Sequence, residues 1–168
     1  PLEIEKRFRL WEFYTATIPA HSVAIEIIQT YLVSKPGVTE RVRARGQNGH
    51  YIFFHTIKEP APGDGMIERE RIISKREHDN LLIRRDLTCR SIYKTRYCFI
   101  YQGQYCELDV FHSHLEGLVI MEVEVPSMKT IVHVPAYLGM FTEETGNHTL
   151  SNFALSKLED ISSLPKAA

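Results

Sequence analysis

The sequence predicts an all-β or α+β fold, an eight-stranded antiparallel β-barrel with a few peripheral helices, and three observations support this expectation. Eight stretches rich in β-branched and aromatic residues recur along the chain, most of them alternating apolar and polar residues at period two. Turn-forming residues separate many of them at the spacing of successive hairpins. Most stretches also place paired charges at one parity and mainly apolar residues at the other.

The first stretch, residues 2–10, opens LEIEKRF, with Glu3, Glu5 and Arg7 on one face of a strand and Leu2, Ile4 and Lys6 on the other. Strands at 24–33 and 39–45 flank Lys35-Pro36-Gly37, and a strand at 50–57 follows the turn Gly46-Gln47-Asn48-Gly49. A Pro- and Gly-rich turn at 60–65 leads into a strand at 66–73. Ser74 and Glu77 have the spacing of a capping box and open a helix over 74–86, with Leu81 and Leu82 as its apolar side. Strands at 91–101 and 104–111 meet at Gln102-Gly103, and the last strand covers 118–126. Short helices are expected at 135–140 and 149–158, with the domain ending near residue 160 and a frayed tail over 161–168.

A chain of 168 residues, 43% hydrophobic and 24% charged, suits one globular domain with a substantial core. Its 20 Lys and Arg against 21 Asp and Glu give a net charge of -1, so the bulk balance predicts neither nucleic acid nor a membrane surface as partner. Any strong anion site must come from local arrangement. Cys89, Cys98 and Cys106 lack metal-ligand spacing and are odd in number, which favours reduced thiols and a cytoplasmic setting. No apolar run reaches the length of a transmembrane segment. The chain starts at Pro1 without a methionine and reads as a domain fused to another in a larger protein.

The charges are informative because they recur. Arg41, Arg43 and Arg45 share a parity, as do Glu68 with Glu70, Lys94 with Arg96, Glu107 with Asp109, and Glu122 with Glu124, while Lys58 stands at a strand end. Glu122 and Glu124 interrupt an otherwise apolar, central-looking strand, where carboxylates need cations close by to offset desolvation. Rolling the sheet with its apolar faces outward makes the interior a charged tunnel. Arginines and lysines there would orient phosphate oxygens, and carboxylates would hold a hard divalent cation such as Mg²⁺ or Mn²⁺, a combination suited to a triphosphate-bearing small molecule.

These residues resemble the CYTH superfamily, the triphosphate tunnel metalloenzymes: Glu3-Ile4-Glu5-Lys6-Arg7 is similar to the ExExK signature, and RVR, TIK, ERE, KTR, ELD and EVE follow in order. The resemblance spans about residues 2–155 and implies the tunnel barrel. It further implies that Arg7, Arg41, Arg43, Lys58, Lys94 and Arg96 grip the triphosphate. Glu3, Glu5, Glu122 and Glu124 would coordinate Mg²⁺ or Mn²⁺, and Glu68, Glu70, Glu107 and Asp109 would be further ligands or position water. The implied activity is metal-dependent triphosphatase chemistry, phosphoanhydride hydrolysis, with Glu5, Arg7 and Lys58 as the catalytic group. One departure is internal to the signature. Arg7 occupies its lysine position, which keeps the charge but removes a deprotonatable amine.

IEIIQTYL, RVRARGQNGHY, YKTRYCFIYQGQYCELD and TGNHTLSNFALS are also similar to the CYTH-like domain of proteins related to the TRP-like channel translocation-defect protein, where it follows a P-loop domain. That resemblance implies a non-catalytic module for guanine nucleotide or a phosphoinositide headgroup; a nucleotide cyclase is a third reading. Elsewhere, His112 and His114 read as exposed loop residues, His50 and His55 as hydrogen-bonded strand residues, and Trp11, Phe13 and Tyr14 as packing at a barrel end. Arg84-Arg85 and Arg69 with Arg71 read as solvated.

Overall fold

A computed structural model describes residues 4–61 and 65–166. Strands β1 (Glu5–Leu10), β2 (Val23–Leu32), β3 (Thr39–Gln47), β4 (His50–Ala61) and β5 (Gly65–Ile73) precede helix α1 (Lys75–Leu81). Then come β6 (Ile92–Tyr101), β7 (Gln104–Phe111), β8 (Val119–Glu124), β9 (Phe141–Glu143) and helix α2 (Asn152–Ser156). All nine strands join one sheet in the order β5-β4-β3-β2-β6-β7-β8-β1-β9. Every pairing within it is antiparallel.

The eight expected strands all form, and β9 is an addition. It has three residues, too few for a visible alternation, and its place is fixed by pairing with Phe8 to Leu10. Backbone bonds from Trp11 N to Met140 O (2.9 Å) and from Glu144 N to Arg7 O (2.7 Å) hold its two ends. Among the described residues no ladder joins β5 to β9, so these two strands are the rims of the sheet, which forms a barrel-like trough as expected. The hairpin β3–β4 turns through Asn48 and Gly49, both at positive φ (52° and 79°), the twist-compatible turn that Asn-Gly favours.

The apolar parity lies on the outer face and is covered in two places. Phe8, Leu10, Phe99, Leu108, Met121 and Val123 pack under Val132, Val134 and Leu138 of the chain between β8 and β9. Leu32, Val42 and Ile73 pack under Leu81 and Leu82, at the end of α1 and just beyond it. Ser74 caps α1 by accepting from Glu77 N at 3.1 Å; the Glu77 carboxylate takes a 2.5 Å bond from Arg71. The expected helix over 74–86 is therefore shorter, continuing only as a 3-10 turn at Leu82–Arg84.

A third cluster closes one end of the inner face. Tyr31, Ile92, Phe111, Leu118 and Ile120 meet Leu150, Leu155 and Leu164 there. The expected helix 149–158 splits into a 3-10 turn, His148–Leu150, and α2, because Ser151 leaves helical geometry to cap α2 at Ala154 N. The expected helix at 135–140 is a single 3-10 turn, Ala136–Leu138. The frayed tail expected over 161–168 is corrected for its first part: Leu164 is 7% exposed in this cluster, and Pro165 O accepts from Arg9 Nη1 at 2.8 Å.

Leu155 is 0% exposed in the plug, so Leu155→Ala is expected to lower unfolding free energy by about 2–5 kcal/mol, measured by denaturant titration.

Candidate active site

Antiparallel register places the predicted residues on one face. Arg7 lies opposite Glu122 and Glu122 opposite Glu107; Glu5 lies opposite Glu124, and Asp109 opposite Arg96. On the other half of the sheet Arg43 lies opposite Gln29, Arg41 opposite Tyr31 and Thr56, and Lys58 opposite Glu68. Each pair points to the same side of the sheet. This shared side is the trough interior.

The two walls differ in charge balance. On β1, β8, β7 and β6, arginines and carboxylates interlock. Arg7 Nε donates to Glu122 Oε1 at 2.8 Å, and its Nη2 lies 3.2 Å from Glu5 Oε1. Arg96 forks onto Asp109 at 2.7 and 2.8 Å, pairs with Glu107, and reaches over β7 to Glu122 Oε2 at 3.6 Å. Loop residues after β9 fix Arg7 further: its backbone N–H donates to Thr145 Oγ1 at 3.1 Å and its Nη1 to Asn147 O at 3.4 Å.

On β3 and β4 the cations are less fully paired, Arg41 and Lys58 sharing the single carboxylate of Glu68. Arg43 donates through Nε and Nη2 to the side-chain carbonyl of Gln29, at 3.0 and 2.8 Å, and makes no ion pair among the described residues. Burial first, then the neighbouring Arg41, Arg96 and Arg45, bring its guanidinium down to about 10, with Glu70 opposing them. Arg41 touches Glu68 at 3.3 Å, while its Nε is buried without a hydrogen-bond partner. A buried N–H left unpaired costs free energy that an incoming oxygen acceptor would recover.

Several expected roles change with this geometry. Lys94 was expected to grip phosphate and Asp109 to bind metal, yet the Lys94 side chain is 2% exposed and its Nζ sits 2.5 Å from Asp109 Oδ2. With Arg96 on both its oxygens as well, Asp109 is fully engaged as a buried counter-ion. Burial would raise its carboxyl, but Lys94 and Arg96 outweigh burial and hold it below the usual carboxylate range. Lys58 stands at the rim, half exposed and 3.9 Å from Glu68. Glu68 and Glu70 lie on rim strand β5, with Glu70 accepting from Thr56 Oγ1 at 2.7 Å. Glu3 lies outside the described residues.

The proposed metal ligands therefore divide between the walls. Among the described residues no three Asp, Glu, His or Cys side chains already converge as a cation site. The donor chemistry on β1, β8 and β7 nevertheless fits a hard divalent ion. Burial, followed by the charges of Glu122 and, more weakly, Glu107, raises the Glu5 carboxyl against the opposing pull of Arg7 and Arg96. A cation among crowded carboxylates relieves that repulsion.

Gln29, Tyr31 and Arg9 also face this interior and were not selected from the sequence. Gln29 and Tyr31 sit inside the apolar-looking run IEIIQTYL, and their meaning appears only when register sets them against Arg43 and Arg41. Arg9 shares the parity of Arg7 but is committed elsewhere, to Pro165 O and to the face of Trp11, 4.0 Å from the ring centre. Trp11 itself donates to Thr142 Oγ1 at 2.7 Å. His55 is hydrogen-bonded to Glu40 at 2.8 Å under α1, outside the trough.

The fold and site define an antiparallel trough whose interior is built from arginines and carboxylates to receive a polyanion. Comparison with known proteins makes the class specific. The chain is 30% identical over 131 residues to an inorganic triphosphatase of Acetivibrio thermocellus, covering 77% of this chain and 78% of that protein. It superposes on the crystal structure of the inorganic triphosphatase NE1496 with a TM-score of 0.67 and 28% identity, over 94% of this chain and 96% of that one. HpAC1 from Hippeastrum, whose structure is described with a dominant triphosphatase activity, shares the fold at a TM-score of 0.53 and 14% identity, over 75% and 80% of the two chains. No family model matches the sequence. The chain belongs to the CYTH superfamily of triphosphate tunnel proteins.

Asp109→Asn would leave Lys94 buried without its charge partner, and a loss of about 3–5 kcal/mol in unfolding free energy is expected by denaturant titration. Because the folded Asp109 carboxyl is lowered, its contribution is present above its unfolded pKa and is lost as pH falls through the folded one. The wild-type stability curve should therefore drop on the acid side, and the Asp109→Asn curve should be flatter there.

Proposed function

We propose that this protein is a divalent-metal-dependent triphosphatase whose substrate is inorganic triphosphate. The observation that carries this reading is the imbalance between the walls: Arg43 has no acidic partner among the described residues and Arg41 Nε is an orphan donor, facing a carboxylate-rich wall. The relative from Acetivibrio thermocellus and the NE1496 structure, both inorganic triphosphatases, support the same substrate.

In this reading Arg41 and Arg43 bind phosphate oxygens through their planar forks, with Arg96 and Arg7 at the opposite wall. Lys58, at the rim, meets the outermost phosphate. Tunnel enzymes of this family generally depend on a divalent metal. Glu5, Glu122 and Glu124, with Glu107, would hold Mg²⁺ or Mn²⁺, which when bound supplies charge neutralisation at the phosphate oxygens. A guanidinium offers only donors, and the bonds of Arg7 to Glu5 and Glu122 make it the brace that orients this wall. Proton transfer from the attacking water falls to one of the trough carboxylates.

The three cysteines form no disulfide, which suits a reducing, cytoplasmic compartment. Among the described residues no helix is long and apolar enough to cross a membrane.

The test is phosphate release from inorganic triphosphate, ATP, GTP and thiamine triphosphate with Mg²⁺ or Mn²⁺. Inorganic triphosphate should turn over fastest, and Glu5→Gln should lower kcat by about a hundredfold or more. No release from any of the four, with triphosphate still raising Tm, would make the domain a binding module.

A further inference from the structure

Gln29 is 0% exposed, projects from β2 into the trough and lies directly opposite Arg43. Both ends of its amide are engaged. The carbonyl accepts from Arg43 Nε and Nη2 at 3.0 and 2.8 Å, and the nitrogen donates to Tyr31 Oη at 2.9 Å. A guanidinium carries only donors, so this contact fixes which way the amide faces.

The identity of the residue matters because of what it does not do. A glutamate here would have nearly the same size and the same fork-matching geometry, and would cancel the Arg43 charge. Elsewhere in the trough Arg7 and Arg96 are held by carboxylates. Arg43 alone of these three is held by a neutral amide, so its geometry is fixed without its charge being spent.

We propose that Gln29 is a positioning residue for triphosphate binding, locking the Arg43 fork against the β2 wall while leaving its positive charge for the substrate. The inference rests on the triphosphate reading of this site. It assigns Gln29 no contact with the reacting atoms; the effect passes through Arg43.

The role separates affinity from stability, which a purely structural role would not. Gln29→Glu supplies Arg43 with a buried ion pair, so Tm without ligand should stay at or above the wild-type value. Affinity for inorganic triphosphate, measured by calorimetry in EDTA, should fall about tenfold or more because the site loses a net charge. Gln29→Met removes the acceptor and should lower both Tm and affinity. Gln29→Glu that binds like wild type, or that loses Tm and affinity together as Gln29→Met does, would overturn the inference. If Gln29→Glu does not fold, steady-state kinetics of Gln29→Met decide: KM should rise about tenfold with kcat within about threefold, as expected for binding shared by ground and transition states. A kcat loss at unchanged KM would overturn it. Wild-type protein that binds no triphosphate either in EDTA or with Mg²⁺ would overturn the functional reading and this inference together, whereas wild-type binding matched by Gln29→Glu overturns the inference alone.

Discussion

Incomplete charge compensation inside the trough is the constraint on which the rest of the structure depends. Burying an ionised group costs several kcal/mol unless a partner repays it, and the chain meets this demand fully on one wall and only in part on the other. Arg7, Arg96 and Lys94 are braced by Glu5, Glu122, Glu107 and Asp109. Arg43 is held by a neutral amide and the Nε of Arg41 has no partner among the described residues. The fold tolerates the shortfall because its stability is secured elsewhere, by two apolar layers on the outer face and a leucine-rich plug at one end. Charge left unsatisfied in a free site is a familiar exchange of stability for function.

The plug connects that scaffold to the chemistry. Leu150 and Leu155 belong to it, and between them Asn152 Oδ1 accepts from Lys94 Nζ at 3.4 Å. A few residues upstream, Thr145 and Asn147 hold Arg7. The segment after β9 thus serves two ends at once, closing the core with its leucines and holding Lys94 through the Asn152 side chain and Arg7 through the Thr145 hydroxyl and the Asn147 carbonyl. A core change there should therefore disturb the site as well as stability.

Much of this was legible in the sequence because strands have a strict period of two. Parity alone assigned Glu5, Arg7, Arg41, Arg43, Arg96, Glu107, Glu122 and Glu124 to one face, and the described register places them there. Parity says nothing about depth along a strand or about neighbours across it. Lys94 and Asp109 look equivalent to Arg96 and Glu107 in sequence, yet they sit deeper, at the plug, and neutralise each other. Gln29 and Tyr31 carry no formal charge and were invisible until β2 was set against β3. The strand β9 escaped because three residues held by backbone bonds leave no pattern to read.

The measurement that tests the central claim most directly is the shift in Tm that inorganic triphosphate produces in wild-type protein and in Arg43→Gln. A ligand at about a hundred times its dissociation constant stabilises a fold by about 2.7 kcal/mol, enough to move Tm by several degrees. The account predicts that shift in the wild type and its near disappearance in Arg43→Gln. An equal shift in both proteins would contradict it, since the unpaired guanidinium would then not be what the polyanion binds.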